Sequence, residues 1–328
     1  MREALYYEQL EEKKVLCTLC PQDCTIAEDK RGFCRVRINH DGKLYSEIYN
    51  RAMATGLDPV EKKPLYHFHP GKIIFSIGTR GCNQRCDFCQ NSHMLQPTAK
   101  VFEMSAQRVV KEALDAGSFG IAYTYNEPFI WYEFVLECAE LAREHGLCNV
   151  LVTNGLYNPE PFERLAPLVD AMNIDVKSMQ DSFYQKICKS HLAPVLATCR
   201  AAREAGIHLE ITNLLIPTLN DAPEQVEELV RFMVELGRDV PLHFSAYFPC
   251  YKMTIEPTPL SSLLRAREIA EKELLYVYLG NVRAAEGSNT RCPACRNLLV
   301  KRDGYLTEVV GILGGQCAQC GRPADFVF

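Results

Sequence analysis

The chain has 328 residues, 47% of them hydrophobic and 23% charged, with a net charge of −5 from 41 acidic and 36 basic side chains. That is an ordinary globular composition, long enough for one large α/β domain with small appendages, and its acidic balance gives no reason to expect a nucleic-acid partner. The longest apolar runs, such as IIF at 73–75 and LLI at 214–216, are far too short to span a bilayer. The opening MREALYYEQLEEKK lacks the apolar centre of a secretory signal, so a cytoplasmic protein without membrane association is expected.

Sixteen cysteines are the unusual feature. In a cytosolic chain, cysteines paired as C-x2-C suggest metal binding rather than disulfides. Residues 1–69 form a Cys-rich N-terminal segment in which Cys17, Cys20, Cys24 and Cys34 are spaced C-x2-C-x3-C-x9-C. The group suits zinc or an iron–sulfur cluster; the alternative is a loop of buried or free thiols. Five isolated cysteines (Cys138, Cys148, Cys188, Cys199 and Cys250) read as small buried hydrophobes.

Residues 70–285 alternate short apolar runs with segments of helical period. The expected strands are KIIFSIG, GIAYTY, NVLVTN, MNIDVK, HLEITNLLI and PLHFSAY. Helices are expected over 105–116, opened by Ser105 as N-cap, and over 223–236, where Val226, Leu229, Val230 and Met233 share a face. Six β-α units at this spacing predict a parallel sheet covered by helices. Polar residues recur where those strands end: Cys82, Asn126 with Glu127, Thr153 with Asn154, and Asp175 with Lys177; Asn213 and His243 lie in the last two strands. Parallel α/β sheets bind ligands at the carboxyl ends of their strands.

After the first of these strands, GTRGCNQRCDFCQN places Cys82, Cys86 and Cys89 at C-x3-C-x2-C and supplies no fourth cysteine. Thiolates suit zinc, Cu(I) and iron–sulfur clusters. A [4Fe-4S] cluster has four irons, each wanting a ligand, so three cysteines leave one iron open to a small molecule. The competing reading is a structural zinc that borrows a distant ligand such as His93. Residues 286–328 close the chain with Cys292-x2-Cys295 and Cys317-x2-Cys320, two knuckles of the kind that hold tetrahedral zinc. An auxiliary iron–sulfur cluster or free thiols are the alternatives there.

The C-x3-C-x2-C block, with Phe88 before its last cysteine, resembles the signature of the radical S-adenosylmethionine (SAM) enzymes. VTNG and IDVK resemble third- and fourth-strand blocks of pyruvate formate-lyase activating enzyme, and TYNEP stands where that family has a glycine-glycine-glutamate element. Over the whole chain, CTLCPQDC, EKKPLYHFHPG and the C-terminal cysteines look most like the radical SAM proteins of the AmmeMemoRadiSam system.

The resemblance implies an α/β fold, a partial (β/α)6 barrel with small metal-binding extensions. It implies a cluster on Cys82, Cys86 and Cys89 whose open iron is chelated by SAM. Reductive cleavage there gives methionine and a 5′-deoxyadenosyl radical that abstracts hydrogen from a substrate. It assigns SAM contacts to Asn91, Asn126, Glu127, Thr153, Asn154, Asp175, Lys177 and His243, with Glu127 accepting from the SAM amino group. It also implies an electron donor such as flavodoxin or ferredoxin and, by analogy with activating enzymes, a protein substrate. A small metabolite or an RNA would be an alternative substrate. A different class altogether is a non-catalytic multi-zinc adaptor, which has no use for a rim of Glu, Asp, Lys and His.

Overall fold

The computed structural model describes residues 1–96, 98–282 and 287–328. Its centre is an eight-stranded sheet: β1 (Ala54–Pro59), β2 (Ile73–Gly78), β3 (Gly120–Tyr123), β4 (Cys148–Thr153), β5 (Ala171–Asp175), β6 (His208–Leu215), β7 (Leu242–Ala246) and β8 (Val277–Gly280), hydrogen-bonded in that order. Strands β2 to β8 are all parallel. Six helices make the crossovers: α1 (Ala106–Asp115), α2 (Tyr132–Glu144), α3 (Pro159–Leu165), α4 (Leu192–Glu204), α5 (Pro223–Leu236) and α6 (Leu260–Ala270). The edge strands β1 and β8 do not pair with each other, so the barrel is partial, as expected.

The sequence explains these elements locally. Strand β3 is buried along its whole length, as a strand covered on both faces must be. Ser105 caps α1, its hydroxyl accepting from Arg108 N, and Val109, Val110 and Ala113 face the sheet. In α5 the anticipated stripe of Val226, Leu229, Val230 and Met233 is buried.

Two strands of the central sheet were not foreseen. Strand β1 belongs to the 1–69 segment yet pairs antiparallel with β2 from Ala54↔Gly78 to Pro59↔Ile73. Its ATGLDP sequence carries Gly and Pro and lacks an apolar run, which an edge strand tolerates because only one side is paired. Strand β8 extends the parallel set beyond β7 and is only four residues long. The expected boundary at 285/286 lies outside the described residues.

The rest of the N-terminal segment makes two three-stranded antiparallel sheets and lends Arg51–Ala52 to a short antiparallel pair with Phe102–Glu103. It is anchored to α2 by a buried ion pair between Arg37 and Glu133; Leu5 N donates to Glu133 Oε1 at 2.8 Å, and Arg37 Nη1 to Leu5 O at 2.9 Å. The C-terminal segment forms a three-stranded antiparallel sheet (Thr290–Arg291, Leu298–Asp303, Leu306–Val309) below the barrel. Its Arg302 reaches Tyr66 O at 2.6 Å, with the guanidinium 4.3 Å from the Tyr66 ring centre. No helix among the described residues is long and apolar enough to cross a membrane.

Candidate active site

A cavity of about 570 Å³ opens at the carboxyl ends of the parallel strands, a size suited to a nucleoside-sized ligand. Its lining includes Cys82, Cys86, Cys89, Asn91, Asn126, Glu127, Thr153, Asn154, Asp175 and Lys177. Ten of the eleven residues expected in the central site therefore meet in one place.

The loop after β2 carries the three thiols. Its turn depends on Gly81, at φ 91°, where a Cβ would stand 2.7 Å from Cys34 O; only glycine fits a left-handed position under that contact. Asn154 then bonds sideways into the loop, Nδ2 donating to Asn83 Oδ1 at 2.8 Å and lying 3.6 Å from Cys82 Sγ. Gln84 N donates to Cys82 Sγ at 3.4 Å. Burial pushes Cys82 well up and Cys89 to about 11, while contact with the Cys188 thiol and burial push Cys86 well up. Without a metal these are neutral thiols, and loading a metal must release their protons.

Glu127, buried at the end of β3, organises the neighbouring strand ends. Its carboxylate accepts from Phe129 N at 3.0 Å, Asn154 N at 2.9 Å and the Thr153 hydroxyl at 2.9 Å. Tyr157 closes one side, its hydroxyl donating to Thr153 Oγ1 at 2.6 Å. Burial outweighs these bonds and raises Glu127 to about 7.

Before it, Tyr125 takes φ 71°, a conformation that glycine adopts freely. A side chain there costs about 1 kcal/mol. Three contacts hold it: Tyr125 OH donates to Asp58 Oδ2 at 2.8 Å, Lys63 Nζ stands 4.7 Å from its ring centre, and Asn91 Nδ2 donates to Tyr125 O at 2.7 Å. Asn126 ties β3 to the cysteine loop, its Nδ2 donating to Gly81 O at 3.0 Å and its Oδ1 accepting from Thr79 N at 2.9 Å.

On the opposite wall, Lys177 Nζ lies 2.8 Å from Asp175 Oδ2 and 5.8 Å from the centre of the Phe88 ring. Burial opposes the charged ammonium, but Asp175 and the nearby thiols more than offset it and hold Lys177 well above the usual lysine range. The site thus presents a fixed cation beside a carboxylate that is 40% exposed.

His243 is the exception. It does not line the cavity. It is buried one layer lower, with Nε2 2.6 Å from Glu210 Oε2 and its ring packed edge-on to Tyr66. Inward-facing residues alternate along a strand, and it is Ser245, two residues on, that reaches the cavity. Asn213 likewise misses it, donating to Val176 O at 2.7 Å, whereas Thr212 and Leu214 on the other face of β6 are lining residues. Sequence reading also passed over Lys62, Lys63 and Asn281 at the rim; the Lys62-Lys63 pair just past β1 was the available signal.

Residues 76–233 match the Radical SAM superfamily. An uncharacterized protein of Methanocaldococcus jannaschii is 44% identical over 100% of both chains. The chain belongs to the radical SAM superfamily. The pyruvate formate-lyase-activating enzyme of Listeria monocytogenes is 27% identical over 51% of this chain and 71% of its own. A radical SAM methyltransferase from Sphaerobacter thermophilus shares the fold, with a TM-score of 0.53 and 20% identity over 70% of this chain and 71% of that one. Membership makes the chain an enzyme rather than a multi-zinc adaptor.

The cluster and SAM that a radical SAM enzyme uses fit the residues present: three soft donors on one loop face a cavity that also holds a cation, carboxylates and apolar surface. The C-terminal cysteines are built differently. Cys292 and Cys320 have their sulfurs 3.6 Å apart, as do Cys295 and Cys317. A tetrahedron of sulfurs about 2.3 Å from a metal has edges of about 3.8 Å, so this group is shaped for a single ion. Among the described residues it is the one set of three or more metal-ligand side chains whose atoms all lie within 4.8 Å of one another.

Proposed function

We propose that the protein reductively cleaves SAM at a cluster held by Cys82, Cys86 and Cys89 and abstracts hydrogen from a protein or peptide substrate. The observation that carries this reading is the three-thiol loop opening into the cavity that contains Glu127 and the Asp175–Lys177 pair. When bound, the cluster supplies one electron and an open iron, and SAM supplies the carbon radical. The residues of the chain do the rest. Lys177 is a permanent cation suited to the methionyl carboxylate. Asp175 and Glu127 favour the ammonium, and Thr212, Ser245 and Asn281 offer hydrogen bonds to ribose. Leu95, Val152 and Leu214 give an apolar bed for adenine. Similarity to the Listeria activating enzyme supports a protein substrate, with a flavodoxin- or ferredoxin-type donor as the electron source. The C-terminal cysteines hold structural zinc.

The test is electron paramagnetic resonance of the dithionite-reduced, anaerobically purified protein. Adding SAM should shift the cluster spectrum, as expected for a ligand entering the open iron. A spectrum indifferent to saturating SAM would remove the reading.

A further inference from the structure

We propose that Cys17, Cys20, Cys24 and Cys34 hold a second [4Fe-4S] cluster, closed by four thiolates, against the back of the loop that carries Cys82. All four cysteines line one cavity, with Leu19, Ile26 and Ile130 as apolar neighbours and Arg37 as a buried cation. The backbone fixes them from three directions. Cys17 and Cys24 face each other across an antiparallel pair. Cys20 begins a turn closed by Asp23 N donating to Cys20 O at 3.1 Å, and Cys34 sits in a turn closed by Arg35 N donating to Gly32 O at 2.9 Å.

Sulfur spacing separates a cluster from a single ion. Around one metal the four sulfurs crowd to about 3.8 Å, as the C-terminal group does. Around a cube of four irons they stand at the corners of a larger tetrahedron. No three of the N-terminal sulfurs lie within 4.8 Å of one another, and the same holds for Cys82, Cys86 and Cys89. Neither group is drawn in to the single-ion spacing of the C-terminal site.

Two donors point at the sulfurs: Phe33 N at 3.3 Å from Cys24 Sγ and Arg37 Nη1 at 3.9 Å from Cys17 Sγ. N–H groups aimed at cysteine sulfur are one of the means by which a protein sets a cluster's potential, and Arg37 also balances thiolate charge. The site abuts the first cluster loop directly. Gln22 Nε2 donates to Asn83 O at 2.9 Å, Arg85 donates to both Phe33 O and Cys82 O, and Cys34 O lies over Gly81. A cluster there would stand as a one-electron carrier beside the SAM site.

The comparison leans on the triad being a cluster site, and metal analysis separates the two claims. Anaerobically purified wild-type protein should contain about eight irons and about one zinc per chain. The triple variant C82A/C86A/C89A should keep about four irons and its zinc and remain brown; Cys20→Ser with Cys24→Ser should lose about four irons yet still cleave SAM or bind it at the triad. Wild-type protein with about four irons and about two zincs, and a colourless triple variant, would overturn the proposal. A triple variant that keeps all its iron would sink the triad and leave the N-terminal cluster standing. The wild-type count needs no variant to fold.

Discussion

Replacing Glu127 by Gln swaps a carboxylate for an amide of the same shape inside a buried cage. Phe129 N and Asn154 N donate to different oxygens of Glu127 at 3.0 and 2.9 Å, and neither backbone amide can turn away. Whichever way the Gln amide is placed, its NH2 confronts one of them, and a buried donor left without an acceptor costs about 1–3 kcal/mol. The wild-type residue carries its own penalty, which depends on pH. Burial raises Glu127 from 4.5 to about 7, so between those values the folded state binds more protons than the unfolded one. Stability therefore falls as pH rises through that window, by about 3 kcal/mol at 1.36 kcal/mol per pH unit.

A protonated carboxyl still accepts through both oxygens, so at pH 5 the variant should be less stable than wild type by about 1–3 kcal/mol. By pH 8 the wild-type penalty is fully present and the amide has none, so the difference should vanish or reverse. Urea unfolding of both proteins at pH 5, 6, 7 and 8 reads this directly, because cluster and zinc contributions are common to both. A difference that stays constant across the range would refute the account of Glu127 as a buried carboxylate held near neutrality.

Lys177→Met should retain iron but lose a charge-assisted contact of about 1.5–3 kcal/mol, weakening SAM binding about ten- to a hundred-fold in equilibrium dialysis; unchanged affinity would remove Lys177 from the site. His243→Ala leaves the buried Glu210 with one fewer partner and should lower stability by about 1–3 kcal/mol without altering SAM affinity. A loss of affinity at unchanged stability would restore His243 to the ligand site. Changing Cys292 and Cys317 together to Ser should release zinc and expose the C-terminal sheet to protease, since a segment of that size depends on its metal to fold. Loss of iron with zinc retained in that variant would mean the knuckles hold a cluster instead.

Much of the barrel was legible because its signals are local. Apolar runs bounded by polar residues gave six strands within two residues of their observed ends, and the stripe in α5 needed no tertiary information. The rim was legible for the same reason: a polar residue just past a buried parallel strand has few other places to go. What escaped depended on register and partners. His243 and Ser245 face the same way, and nothing in PLHFSA says which layer meets the cavity floor. Depth follows from Tyr66 and Glu210, which fill the space below. Strand β1 escaped because an edge strand needs no continuous apolar run. The three cysteine groups were equally visible as spacings, yet the distance between sulfurs, which separates one ion from a cluster, exists only in the fold.

The Cys82–Cys86–Cys89 loop should support reductive SAM cleavage. The most direct measurement is 5′-deoxyadenosine formed from SAM under dithionite by the anaerobic wild-type protein and by Cys86→Ala, with zinc content checked in both. The wild type should produce 5′-deoxyadenosine and methionine in equal amounts, and the variant should produce neither while keeping its zinc. A variant that forms 5′-deoxyadenosine at the wild-type rate would contradict the account.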